Sequence, residues 1–343
     1  MLTLFILLVI LIIFCWNIKL NYPEYQKIIW LGVGILFILI SGFRENVGID
    51  FEMYKYFYEE PQSRANETIE PLWRIVNRFL YYIGFNYHIF FLYTSAIIVG
   101  VTLYFYHKNS KIEYAALLLF VAMGFYFESM NLVRQYCAIS LVFLSFKYFV
   151  DKNYKLFWAI SFLAVCCHLS ALFAIVIVIM SKIRLSKKIM IITIVASLLF
   201  GDIVMNYVVS FVMEAIVGLR YSYTPDEFST GVSSGTLKYV YNLLVIGIIL
   251  TIPQKGLEKK YMWPMLTVVM VGLCIYNIFY LFMVARRLSL YGLCFLPVLI
   301  PKAIQYINLD RKSKYLTYGM ICAVFSAFTI NTYIGKAYNF QIF

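Results

Sequence analysis

Apolar residues run along this chain in long uninterrupted blocks. Leu2–Trp16, Ile28–Ile40, Leu156–Met180 and Met262–Val284 are the clearest. A helix needs about 20 apolar residues to cross a hydrocarbon core of about 30 Å, and several of these blocks approach or exceed that length. Roughly ten or eleven such segments can be traced, near 2–16, 28–43, 87–106, 114–127, 132–150, 156–181, 189–217, 238–253, 262–284, 288–307 and 315–333. The pattern predicts an all-α polytopic membrane protein, 1–343 forming one transmembrane domain. The N-terminus lacks a basic stretch and a small-residue cleavage site, so Leu2–Trp16 reads as a retained first span.

Two polar stretches interrupt the blocks, 44–86 and 218–237. Within the first, Leu72, Ile75, Val76, Phe79, Leu80 and Ile83 recur at helical spacing, with Arg74, Asn77, Arg78 and Tyr81 opposite. That spacing predicts an amphipathic helix lying on the membrane surface. Phe51, Tyr54, Phe57 and Tyr58 predict a shorter helix before it.

Charge sets the expected orientation. The net charge is +12, but the basic residues fall in short clusters between apolar blocks, as in Lys182/Arg184/Lys187/Lys188 and Lys255/Lys259/Lys260. This is the positive-inside pattern, and it argues against a nucleic-acid partner. With the clusters inside, the N-terminus, 44–86 and 218–237 fall outside. One conflict remains: a single crossing by 156–181 would put Lys182–Lys188 on the outer side. A re-entrant hairpin with two legs of about 12 residues, each about 18 Å long, resolves it by turning near His168. That turn contains neither Gly nor Pro, and a hairpin earlier in the chain would serve equally well. Irregular backbone at such depth survives only where it is buried in protein or lines a wet cavity.

Composition narrows the chemistry. Hydrophobic residues make up 63% and charged residues only 13% of the chain, too few for a water-facing surface. All seven cysteines lie in apolar segments, so no disulfide framework is expected. Cys166-Cys167-His168 reads as core or lipid-facing thiols rather than a metal site, and no metal or other cofactor is expected. No phosphate-cradling glycine loop or serine-histidine-acid arrangement occurs, and the inner loops are too short for a nucleotide-binding domain.

The remaining candidates are ionisable residues at span ends. Arg44, Arg134, Arg286 and Arg287 gather on the expected outer side, with Gln135 beside Arg134. Converging guanidinium groups suit a phosphate or diphosphate; the alternative is that they snorkel or pair with Glu45, Glu128 or Asp226. Asp50 and Tyr54, four residues apart, place a carboxylate and a phenol on one helix face. There Asp50 would act as general base or orient a sugar hydroxyl, or remain a solvated loop acid. Glu70, before Pro71, reads as a helix cap or a weaker catalytic candidate. His168 is either a core histidine bonded to backbone or a proton-transfer group. Tyr and Phe, 30 of each, chiefly predict interfacial belts.

Taken in order, Arg44…Gly48-Ile49-Asp50…Tyr54, Glu70, Leu132-Val133-Arg134-Gln135…Ala138, His168-Leu169-Ser170-Ala171 and Arg286-Arg287…Tyr291 running to Pro297 and Pro301 resemble the EpsG/Wzy-type family of bacterial exopolysaccharide, capsule and O-antigen polymerases. The resemblance spans about residues 25–305. It implies a transferase-like membrane fold of the GT-C kind with amphipathic outer-loop helices, in the bacterial cytoplasmic membrane, with its active site toward the exterior. The substrate would be an undecaprenyl-diphosphate-linked oligosaccharide, with a flippase and a chain-length regulator as partners. In that role Arg134 with Arg44 and Arg286 or Arg287 would bind diphosphate. Asp50, or His168, would take the acceptor's proton, and Tyr54, Glu70 and Gln135 would contact substrate. Two other functions fit the residues: a glycosyltransferase using a polyprenyl-phosphate sugar, and a lipid-linked oligosaccharide flippase or transporter. The lack of internal repeats and the one-sided arginines weigh against the transporter.

Overall fold

The computed structural model describes residues 2–110, 112–212 and 235–334. Most of the second outer stretch, 218–237, therefore lies outside the described residues. Helices and their connections account for the described chain, with no strand among the described residues. This is the all-α membrane protein expected. Four segments have the length and apolarity of a full span, Leu2–Asn21, Pro23–Gly42, His88–Asn109 and Lys187–Met205, and the number rises to six if each of two bent helix pairs is one span. Other apolar segments form shorter helices of 10–17 residues.

The chain divides into two compact units. Unit 1 comprises 1–172 and 309–343. It holds α1 (Leu2–Asn21), α2 (Gln26–Gly42), α3 (Phe51–Glu59), α4 (Pro71–Ile83), α5 (His88–Asn109), α6 (Glu113–Ala122), α7 (Phe125–Asn131), α8 (Val133–Val150) and α9 (Tyr154–Cys167). The segment α10 (Ala171–Met180) begins at the boundary with unit 2, which spans 173–308. Unit 2 contains α11 (Lys187–Val212), α12 (Gly235–Thr251), α13 (Gln254–Leu257), α14 (Met262–Ile278), α15 (Met283–Arg286), α16 (Leu290–Leu293) and α17 (Leu296–Ile304). The chain then returns to unit 1 through α18 (Arg311–Ile334).

Every residue of α6 is buried, and α1, α5 and α18 pack around it. The apolar run expected as one span over 114–127 is broken: Gly124 adopts φ +81°, and α6 and α7 meet at a 57° bend. Only a residue without Cβ enters that backbone region cheaply. The break frees carbonyls at the end of α6, and Thr329 from α18 donates to one of them, Ala122 O, at 2.7 Å. Elsewhere hydroxyl pairs join helices directly, Ser41 to Ser95 and Ser145 to Ser161, each at 2.7 Å. Such bonds are favoured where no water competes.

The amphipathic helix forms where the spacing placed it. Glu70 precedes it in an extended conformation, the geometry a following proline imposes, and Pro71 opens it. Gly84, at φ +97°, closes it by donating to Leu80 O and Tyr81 O. Ile75, Phe79 and Ile83 are exposed, whereas Trp73 and Asn77 on the other side are buried against the protein. An outward apolar face on a short helix is what a membrane interface would cover. On α3, by contrast, Phe51, Tyr54, Phe57 and Tyr58 all turn into the core.

In unit 2, Asn242 and Asn277 exchange reciprocal amide hydrogen bonds at 2.8 and 2.9 Å, and Asn277 also donates to Ser197 at 2.9 Å. Gly272 and Gly292 allow α14 and α16 to touch: a Cβ on either would lie 2.7 Å from the other's Cα.

Candidate active site

The chain breaks at His168, where α9 ends in extended backbone at φ −160° and ψ 124°. The interruption falls at the position expected for a turn, although no Gly or Pro marks it. The broken end is held by Trp73, whose indole N–H donates to Cys167 O at 2.7 Å. This bond satisfies a terminal carbonyl of α9 and fastens α4 to it. Asn77, one turn further along α4, accepts from the Tyr93 hydroxyl at 2.9 Å and adds α5 to the same support.

That packing brings Glu70 to two cationic or titratable partners. Arg134 Nη1 donates to Glu70 Oε2 at 2.6 Å, and His168 Nδ1 lies 2.6 Å from Glu70 Oε1. The three side chains come from the cap position of α4, the first turn of α8 and the end of α9. Glu70 makes no side-chain cap to its own helix, so both oxygens serve the longer-range contacts. The group is sheltered but open: the side chains of Glu70, Arg134 and His168 are 15%, 20% and 30% exposed.

Burial alone would raise the Glu70 carboxyl, but the hydrogen bond from His168 and the Arg134 charge outweigh it and leave its pKa below the ordinary value. Glu70 is thus an anion at neutral pH. An ionised acceptor at 2.6 Å favours the tautomer with the proton on Nδ1, which leaves Nε2 of neutral His168 as an acceptor. Arg134 Nε is buried without a hydrogen-bond partner among the described residues. A guanidinium has five donors, so the ion pair with Glu70 leaves others for a ligand oxygen.

Tyr54 and Asp50 adjoin this group. Tyr54 is buried and interacts with Arg134 by hydrogen bond and charge. Burial raises its phenol pKa, Arg134 opposes the rise, and the Asp50 charge adds to it. Asp50 precedes α3 without capping it through its side chain, and its backbone N–H donates to Asn131 Oδ1 at 3.0 Å. Gly48 explains its own place in the Gly48-Ile49-Asp50 run: it adopts φ +99°, and a Cβ there would sit 3.2 Å from Asn131 Oδ1.

The other candidates have contacts of their own. Arg44 is buried, donates to Ser41 O and, at 2.9 Å, to Met130 O, and stands 4.3 Å from the centre of the Phe91 ring. It therefore ties the end of α2 to the end of α7, beside the asparagine that holds Asp50. Gln135 is buried on α8. Arg286 belongs to unit 2, where it donates to Tyr280 O at 2.9 Å, and Arg287 follows it there.

Two features escaped the sequence. Glu45 accepts from the Tyr87 hydroxyl at 2.5 Å and meets His88 Nε2 at 3.1 Å, forming a second acid–histidine contact. Their separation of about forty residues hides it. The anchoring role of Trp73 was also hidden, although an indole on the polar side of an amphipathic helix is a signal that its N–H needs a partner.

Comparison with protein families gives a match to EpsG over residues 27–343, from the second residue of α2 onward. The chain belongs to the EpsG family. No curated protein and no solved structure matches it. Membership associates this multi-pass EpsG-family membrane protein with polysaccharide biosynthesis of the polymerase type.

Proposed function

We propose that this EpsG-family protein joins undecaprenyl-diphosphate-linked repeat units into a surface polysaccharide at the outer leaflet of the bacterial cytoplasmic membrane. The observation that carries the proposal is the Arg134–Glu70–His168 group, a fixed cation and a potential base held by one carboxylate. In the reaction, a hydroxyl of the incoming lipid-linked unit attacks the anomeric carbon of the growing chain. The bond from that carbon to the diphosphate oxygen breaks, and the lipid diphosphate leaves with the bonding electrons. Arg134 stabilises the charge that develops on the leaving oxygen. Arg44 fixes the loop that carries Asp50. The hydroxyl proton passes to Asp50 or to His168 Nε2. Tyr54 and Gln135 help shape the substrate cavity around Arg134. The activated lipid supplies the driving force, so no nucleotide enters the step. A flippase would deliver the units and a chain-length regulator would set their number.

The test is Arg134→Ala expressed in a host strain lacking the native gene, with surface glycan resolved by gel. Loss of the long-chain ladder with single repeat units retained is expected. An unchanged ladder would remove Arg134 from the site. Complete loss of glycan after gene deletion would instead favour a flippase or an assembly transferase that adds a single sugar.

A further inference from the structure

In unit 2, three lysines gather around two tyrosine rings. Lys259 Nζ lies 5.1 Å from the centre of the Tyr306 ring. Lys260 and Lys302 both approach Tyr261, at 5.5 and 5.9 Å. Lys302 and Lys259 are close enough to repel one another, and neither has an ion pair among the described residues. The Tyr306 ring is seated directly on Gly256, where a Cβ would lie 2.7 Å from it. Its hydroxyl is buried with no hydrogen-bond partner among the described residues. Buried hydroxyls in native proteins nearly always find a partner. Lys259, Lys302 and the Tyr306 hydroxyl thus offer donors with no acceptor among the described residues.

We propose that Lys259, Lys302 and Tyr306 form a seat for the phosphate of an anionic phospholipid headgroup. The two repelling ammonium groups favour an anion between them. Basic pockets between helices on the cytoplasmic side take acidic headgroups in this way, and the positive charge of this cluster assigns it to that leaflet. A lipid fits better than a soluble anion because α12, which leads into the cluster, exposes Leu243 and Leu250 seven residues apart on one face. An acyl chain would lie along that stripe.

The experiment is native mass spectrometry of the full-length protein in detergent, titrated with phosphatidylglycerol, phosphatidylcholine or inorganic phosphate. Polymer synthesis is not a readout, so the outcome is independent of the enzymatic proposal. Phosphatidylglycerol should be retained in preference to phosphatidylcholine. Lys259→Gln with Lys302→Gln should weaken its retention roughly 30-fold, about fivefold for each charge removed. Tyr306→Phe keeps charge and ring and should weaken retention severalfold, which keeps the proposal falsifiable if the double variant fails to fold. Equal retention of the two lipids would overturn the proposal, as would an unchanged preference in the Tyr306→Phe variant. So would displacement of phosphatidylglycerol by millimolar inorganic phosphate, which would assign the seat to a soluble anion.

Discussion

Unit 1 holds two carboxylates with similar partners and different surroundings. Glu113, at the start of α6, accepts from Lys19 at 2.5 Å and from Gln26 at 2.7 Å, and only 3% of its side chain is exposed. Glu70 accepts from Arg134 and meets His168, both at 2.6 Å, with 15% exposed. Lys19 and Gln26 flank the connection between α1 and α2, so the Glu113 group closes one end of that pair. The Glu70 group instead joins a surface helix to a break in α9 and leaves a titratable ring partly open. A sealed ion pair stabilises packing, whereas an open one retains donors for a ligand. The difference separates a structural salt bridge from a candidate catalytic one, although both read as a carboxylate beside basic residues.

The sharpest way to break this comparison is to remove the charge at each position. Glu70→Gln should lower polymer formation by roughly 10²–10⁴-fold, the range of general acid–base catalysis, while protein accumulates normally. Glu113→Ala should do the reverse. Loss of one partner from a buried pair costs roughly 3 kcal/mol of stability, so the yield of folded protein and its thermal midpoint should fall while activity per folded molecule holds. Should Glu113→Ala abolish activity at full stability, the two sites would not differ as described.

Acid titration sharpens the contrast. The folded Glu70 carboxyl lies below its ordinary value, so its stabilising contribution is complete above the unfolded pKa of about 4.3. It is lost as pH falls through the lower folded value. The thermal midpoint should therefore hold through mild acid and fall only below the ordinary carboxylate range. A pH profile of that midpoint on purified protein checks this limb. The smallest effect is expected from Trp73→Phe, which removes the donor to Cys167 O at a cost of about 1–2 kcal/mol. A modest drop in thermal midpoint should accompany a severalfold loss of rate as Glu70 loses its support.

Much of the architecture was legible because hydrophobic periodicity is local. The surface helix over 71–83 and the long first spans follow from residue spacing, and the break near His168 from the charge of the loops that flank 156–181. The bend at Gly124 was not legible, since a glycine inside an apolar run reads equally well as part of a straight helix. Arg134, Glu70 and His168 were each recognisable as ionisable residues at the edge of apolar segments. Their union was not, because 64 and 98 residues separate Glu70 from its partners and only tertiary packing joins them. Glu70 read first as a helix cap, and its carboxylate is used elsewhere. Arg44 shows the opposite case: the same span-end pattern as Arg134, but a guanidinium turned onto backbone carbonyls.

The central claim is that Glu70 makes Arg134 and His168 act as one unit in polymer formation. A double-mutant cycle on purified protein tests it most directly, by measuring the polymerisation rate on lipid-linked repeat units for Arg134→Ala, His168→Ala and the combined variant. Groups acting as one unit give strongly non-additive losses, so the combined variant should be no slower than the worse single one. Losses that multiply would contradict the account.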